Sequence, residues 1–331
     1  MQRFKNILAV VGHEKDLSQS LSLRRAVEIA RDNRSRLHFV SVVEDFPRLT
    51  RWLLPSADEL LEIIERDRKE RLEGFASGVR GEGIEVGTTV LRGKVSTVLV
   101  EEVIRGQHDL LIKGAEGGGD RLVASNDWHL LRDCPCPVFL VKPGHERDGF
   151  RRILAAVDPT PTPGDFEPSD LADEEERRVR AELNVRIMEI ARGLAAREQA
   201  ELHVLHVWRV PGESLLRGET VVPQKEVDEY VESVRAAAHR AFERFLNQTA
   251  PGMESSQCHF QKGDPAEVIL GFSRSHDVDV IVMGTVARTG IPGFILGNTA
   301  EAVLRRVDCS LLTVKPEGFV SPIQPSREGG A

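Results

Sequence analysis

Short apolar runs alternate with longer amphipathic segments along the whole chain. Residues 4–11 (FKNILAVV) and 36–43 (RLHFVSVV) predict strands, and residues 21–30 between them predict a helix with one apolar face. Further strands are predicted at 84–91, 109–114 and 137–141, with helices at 95–104 and 127–132 and a long charged helix that follows the loop at 44–55 and ends at 79. Because strands that alternate with helices connect by right-handed crossovers, this pattern predicts an α/β fold with a parallel sheet.

The second half of the chain repeats this order of segments. The matched pairs are 4–12 with 151–159, 36–43 with 201–208, 109–114 with 279–284, and 136–143 with 309–316. Four matched segments in one order indicate an internal duplication. Helices with apolar residues every three or four positions are predicted at 179–194 and 227–245, and a helix capped by Asp264 begins at Pro265.

The duplication predicts two doubly wound domains, at residues 1–146 and 147–316, followed by a flexible tail at 317–331. The long connections at 44–55 and 215–222 are predicted to be loops. Their apolar residues either cover a cavity suited to an amphiphile or pack on the edge of the sheet.

Composition and charge exclude several classes of protein. The 44 basic and 52 acidic side chains give a net charge of −8, which argues against direct binding to nucleic acid. Four cysteines without regular spacing favour a reducing compartment, and we expect a cytoplasmic protein. No apolar run approaches the length of about 18 residues that a membrane span needs, so none is expected.

A glycine-rich loop joins a predicted strand to a predicted helix in the second half. The segment 283–301 (MGTVARTGIPGFILGNTAE) contains four glycines, and Asn298 with Glu301 predicts a helix cap. A loop of this kind can surround an anion, because backbone N–H groups and the helix dipole both point into it. It can equally be a tight connection without a ligand.

This loop resembles that of the universal stress proteins, whose nucleotide-binding members carry G-x-x-G, nine residues, and G-[ST]. Gly284 and Gly297 match the pattern, whereas Ala287 and Asn298 stand where a glycine and a hydroxyl residue belong. The sequence GTVARTGI, followed by GNTAE, is most similar to the tandem, E-type branch of this family. The resemblance covers nearly the whole chain and implies two five-stranded sheets of order 3-2-1-4-5, as in the adenine nucleotide alpha hydrolase-like fold.

The resemblance also implies a ligand site at the carboxyl ends of the strands in the second domain. Its candidate residues are Asp158, Val207, Gly284, Thr285, Arg288, Gly290, Gly297, Asn298 and Thr299. Asp158 and Val207 would lie near an adenosine, and Arg288, Gly297 and Asn298 near phosphates. In the first domain Gly12 stands where the second domain has Asp158. Glu116, Asp120 and Asp127 would repel a phosphate there, so a degenerate site is predicted in the first domain.

Cysteine and histidine residues offer weaker candidates. Cys134 and Cys136 flank Pro135 beside a predicted strand, and a buried pair of free thiols explains them better than a metal site. His38 and His203 occupy equivalent strand positions, which indicates a role in packing. No nucleophile constellation and no metal ligand set stands out, so we predict no enzyme activity.

These observations predict a non-catalytic tandem universal stress protein that serves the bacterial stress response by binding a ligand and protein partners. The alternative is an ATP-binding or slowly ATP-hydrolysing switch in the second domain, with Mg²⁺ held by Asp158. The resemblance implies pairing through the last strands, 137–141 and 310–314, either between two chains of a homodimer or within one chain as a pseudo-dimer.

Overall fold

The computed structural model describes residues 4–12, 16–115, 125–142, 149–159, 174–219, 221–285 and 297–324. Contacts divide the chain into two compact units. The first unit contains residues 2–146 together with 304–315 and 319–331, and the second contains 147–303 and 316–318. The final strand of the chain therefore belongs to the unit formed by the first half.

The elements alternate as the apolar pattern predicts. In the first half they are β1 (Asn6–Val10), α1 (Leu21–Asn33), β2 (Arg36–Val43), α2 (Arg48–Leu53), α3 (Ala57–Arg80), β3 (Val86–Arg92), α4 (Val95–Arg105), β4 (Leu110–Gly114), α5 (Ser125–Asp133) and β5 (Val138–Val141). In the second half they are β6 (Arg152–Val157), α6 (Glu174–Glu198), β7 (Glu201–Trp208), α7 (Glu213–Gly218), α8 (Gln224–Thr249), β8 (Cys258–Lys262), α9 (Pro265–Ser275), β9 (Val280–Gly284), α10 (Asn298–Leu304) and β10 (Ser310–Val314).

The sheet of the first unit has the order β3-β2-β1-β4-β5, with all neighbours parallel. This confirms the predicted α/β fold and its strand order. In the second unit, β6 pairs in parallel with both β7 and β9, and β7 pairs with β8, which repeats the same order for four strands. The central strands are almost completely buried, because helices cover a parallel sheet on both faces.

The last strand of each half pairs with that of the other. β10 lies antiparallel to β5, with Leu140 opposite Leu311 and Val138 opposite Thr313. The backbone N–H of Lys142 also donates to Ser310 Oγ at 3.0 Å. Of the two expected pairings of the last strands, the structure shows the one within the chain.

Each half contains an aspartate with the same structural role. Asp109 accepts hydrogen bonds from the backbone N–H groups of Lys5 and Asn6, at 2.6 and 3.0 Å. Asp279 accepts from those of Arg151 and Arg152, at 2.7 and 3.0 Å. Each carboxylate therefore ties the start of a first strand to the start of a fourth strand, as a duplicated fold requires.

The two long connections differ from the predicted loops, since each contains a short helix, α2 or α7. Their apolar side chains are not packed against the sheet: Trp52 is 78% exposed, Leu215 68% and Val221 83%. Ile64, expected to face inward from α3, is 36% exposed.

Two features near the end of the chain, the start of α10 and the segment after β10, also differ from the sequence prediction. α10 begins at Asn298, and the N–H of Glu301 donates to the carbonyl oxygen of Gly297 at 2.8 Å, so Gly297 rather than Asn298 occupies the cap position. In the segment that follows β10, Phe319 is only 8% exposed and lies 4.6 Å from the ammonium of Lys315. The chain therefore packs at least as far as Phe319.

Candidate functional site

The candidate site lies where β6 and β9 end side by side in the second unit. Ala156 of β6 is opposite Met283 of β9, so Asp158 and Gly284 follow on adjacent strand ends. Parallel sheets of this order place ligands at this edge, where the connections leave in opposite directions. The structure thus brings together the two residues on which the predicted site depended.

The backbone of Asp158 is fixed by a buried side chain of α6. Asn184, 3% exposed, accepts the N–H of Asp158 at 2.9 Å and donates its amide to the carbonyl oxygen of Asp158 at 2.8 Å. The carboxylate of Asp158 remains about half exposed, and its Oδ2 lies 3.8 Å from Arg180 Nη1. The strand end is therefore held rigidly, while its carboxylate faces a cation and solvent.

Gly284 is needed for close packing against α6. A Cβ atom at this position would lie 2.8 Å from Leu183 Cδ2 and 3.5 Å from Ile187 Cδ1. The neighbouring Thr285 is 1% exposed, and its hydroxyl has no hydrogen-bond partner among the described residues. Its carbonyl oxygen accepts the N–H of Gly297 at 3.0 Å, which brings both ends of the glycine-rich loop together.

The other residues of the predicted ligand site differ in where they lie and in how exposed they are. Val207 is 9% exposed and belongs to the core of β7. Asn298 is exposed and Thr299 half-buried at the start of α10. Arg288 and Gly290, with Ala287, lie outside the described residues.

The sequence prediction missed Arg180 and Asn184. Both lie on α6, far along the chain from the strand end that they contact. The one available signal was a polar residue, Asn184, beside the predicted apolar stripe that contains Leu183 and Ile187. A polar side chain that interrupts a buried helix face needs a partner, but the sequence does not name that partner.

Replacing Asn184 by Ala is expected to lower the free energy of unfolding of the second unit by about 2 kcal/mol, because it removes both hydrogen bonds from the Asp158 backbone. Asn184→Asp should be at least as harmful, since a carboxylate would face the carbonyl oxygen of Asp158. Urea unfolding followed by circular dichroism measures both. The control is Glu189→Ala on the exposed face of α6, which should change stability by less than about 0.5 kcal/mol.

The equivalent region of the first unit contains a buried ion pair. Lys113 of β4 and Asp127 of α5 are 3% and 0% exposed, and Lys113 Nζ lies 2.9 Å from Asp127 Oδ1. Their geometry is that of an ion pair rather than an aligned hydrogen bond. The expectation that Asp127 repels phosphate is therefore corrected: its charge is neutralised by Lys113. Glu116 and Asp120 lie outside the described residues.

The cysteine prediction is confirmed, since Cys134 and Cys136 are free and buried. His203 is 5% exposed, and its Nδ1 lies 3.0 Å from Nε2 of His259. His276 lies beside both, with ring centroids 5.8 Å from each. In the described part of the chain, no three His, Cys, Asp or Glu side chains are arranged to hold a metal ion.

These features define a tandem doubly wound α/β protein. The family model of the universal stress protein family matches residues 3–142 and 149–315, and the chain belongs to that family. Universal stress protein E of Photorhabdus laumondii is 28% identical, covering 99% of this chain and 100% of that protein.

Two solved structures from Pseudomonas aeruginosa are also similar. A functionally unknown protein of strain PAO1 has a TM-score of 0.68 at 28% identity, with 95% of this chain and 93% of that chain covered. A putative universal stress protein of strain UCBPP-PA14 has a TM-score of 0.66 at 27% identity, with 95% and 94% covered. None of the helices that the structure describes is long and apolar enough to cross a bilayer.

Proposed function

We propose that this chain is a non-catalytic, cytoplasmic universal stress protein that acts in the bacterial stress response by binding a small ligand at the Asp158 edge and by recruiting protein partners. The family membership and the full-length similarity to universal stress protein E support the stress role. The fixed strand end at Asp158 supports ligand binding, because a rigid site loses little entropy when it is occupied.

The proximity of Arg180 to Asp158 carries the non-catalytic part of the proposal. Phosphoryl transfer needs a carboxylate that holds Mg²⁺ beside the nucleotide. A divalent cation at Asp158 would lie close to the guanidinium of Arg180, 3.8 Å from the carboxylate, and would be repelled by it. The positive charge of the Arg180 guanidinium also favours a ligand that places an anionic group at this edge of the sheet.

Phosphate release from ATP in the presence of Mg²⁺ tests this proposal. We expect the wild-type chain to release phosphate no faster than the buffer, and Asp158→Ala to give the same rate. Release by the wild-type chain that Asp158→Ala abolishes would show a catalytic site and refute the proposal. Native mass spectrometry of the purified protein, with ATP and a fatty acid as reference ligands, identifies what the site retains.

The second candidate is a nucleotide-binding switch. It is supported by the hydroxyl of buried Thr285, which has no hydrogen-bond partner in the described part of the chain, and by the hydrogen bond from the N–H of Gly297 that closes the loop. Ala287→Gly combined with Asn298→Ser restores the family pattern, so ATP affinity should increase at least about tenfold in calorimetry. GTP serves as the control for adenine selectivity, and equal ATP affinity before and after the change would argue against a phosphate-binding loop.

A further inference from the structure

Cys134 and Cys136 are placed to form a disulfide with each other. Cys134 directly follows α5, Pro135 separates the two residues, and Cys136 lies two residues before β5. Their Sγ atoms are 3.5 Å apart. A disulfide requires about 2.05 Å, and residues two apart in sequence always have Cα atoms within about 7 Å. A side-chain movement of about 1.5 Å therefore suffices for the bond.

A buried cation lies beside the pair. Lys315 is 2% exposed, and its ammonium donates to the carbonyl oxygen of Arg132, two residues before Cys134, at 3.1 Å. Burial lowers the pKa of Lys315 to about 8, while the negative charges of Cys134 and Asp133 oppose this shift. The ammonium of Lys315 therefore lies close to the backbone that leads into Cys134.

The two thiols differ in their access to solvent. Cys136 is 7% exposed and Cys134 0%. Burial, and then the neighbouring Cys134, raise the pKa of the Cys136 thiol well above its ordinary value. Cys136 therefore reacts slowly, and a molecule as small as hydrogen peroxide reaches it before it reaches Cys134.

We propose that Cys134 and Cys136 form a peroxide-responsive dithiol that closes reversibly into a disulfide. The Cys136 thiolate attacks one oxygen of hydrogen peroxide, and the O–O bond breaks to give a sulfenic acid and hydroxide. The Cys134 thiolate then attacks Sγ of Cys136 and displaces its hydroxide. The protons of the two thiols convert both hydroxides to water, so two thiols and one peroxide yield one disulfide and two waters.

The position of the pair gives oxidation a structural effect. The residues lie immediately before β5, the strand on which β10 is paired. A disulfide across one residue is strained and is therefore easily reduced, as expected for a regulatory rather than a structural bond. This inference does not depend on the ligand site in the second unit.

Peptide mass spectrometry of the folded, full-length chain tests the proposal. After treatment with hydrogen peroxide and alkylation, the tryptic peptide 133–147, which contains both thiols, should have lost about 2 Da and carry no alkyl group. Cys309, which is also buried, should remain alkylated, and dithiothreitol should restore the thiols of Cys134 and Cys136. In Cys134→Ser the Cys136 sulfenic acid should persist and be labelled by dimedone.

Two results would overturn the proposal. One is full alkylation of Cys134 and Cys136 at a peroxide dose that already oxidises Cys309, which is buried like them. The other is equal rates of disulfide formation in the folded chain and in urea, which would show that the fold does not favour the bond.

Discussion

Asp127→Ala is expected to lower the free energy of unfolding of the first unit by about 3–5 kcal/mol. The substitution leaves the ammonium of Lys113 buried without its carboxylate, and an unpaired charge in the interior is costly. Urea unfolding followed by circular dichroism should show the loss as a lower midpoint with little change in slope.

The second half of the chain supplies a matched rescue. Met283 and Ala300 occupy the positions that correspond to Lys113 and Asp127 in the repeat, and both are buried. The double variant Lys113→Met with Asp127→Ala copies them and should recover most of the lost stability, because it buries no charge. Asp58→Ala, which removes an exposed partner of Arg51 and Arg92, should cost less than about 1 kcal/mol. If the double variant instead lost as much stability as the sum of the losses in Lys113→Met and Asp127→Ala, the ion-pair explanation would be contradicted.

Between about pH 6.5 and 4.5 the free energy of unfolding is expected to fall because of His259. Burial, and then the neighbouring His203 and His276, lower the pKa of His259 to about 4, whereas Glu201 acts in the opposite direction. The pKa of His203 is also lowered, mainly by burial, and Arg152 contributes to this shift. The unfolded chain therefore binds more protons than the folded chain in this range, so stability is complete above pH 6.5 and decreases below it.

The expected loss from His259 is about 1–2 kcal/mol, since the half-buried ring retains contact with solvent. His259→Thr is the matched variant, because Thr89 takes the equivalent place in the first half and lies 2.8 Å from His38 Nε2. Unfolding free energies measured at pH 7, 6 and 5 should converge between wild type and variant as the pH falls. Parallel curves for the two proteins would assign the pH dependence to other groups.

Periodicity predicted most elements well, and for a clear reason. Strands buried on both faces are continuous apolar runs, so β2 was predicted with the bounds Arg36–Val43 that the structure shows. Asp264 caps α9 as predicted, accepting the N–H groups of Ala266 and Glu267. The short helices α2 and α7 were missed, because six residues are too few to show a helical period.

The candidate site was predictable only in part. Asp158 and Gly284 follow from the strand ends and the resemblance, and the structure places them together. The contacts of Asn184 and Leu183 with these residues depend on how α6 packs over the sheet. The resemblance accounts for Gly284 as part of the family's glycine pattern, whereas close packing against Leu183 is a separate reason for glycine at this position.

The sequence by itself determined the duplication, the alternation of strands and helices, and the family, because these properties are local or repeated and survive in the order of residues. The tertiary structure alone decided which distant side chains meet, namely Lys113 with Asp127 and His203 with His259. It also decided that β10 pairs with β5 of the same chain, which was one of two expected pairings. Such contacts depend on the crossing of helices and on strand register. An apolar pattern shows which face of a helix or strand is buried, but it does not show which residue of another element that face contacts.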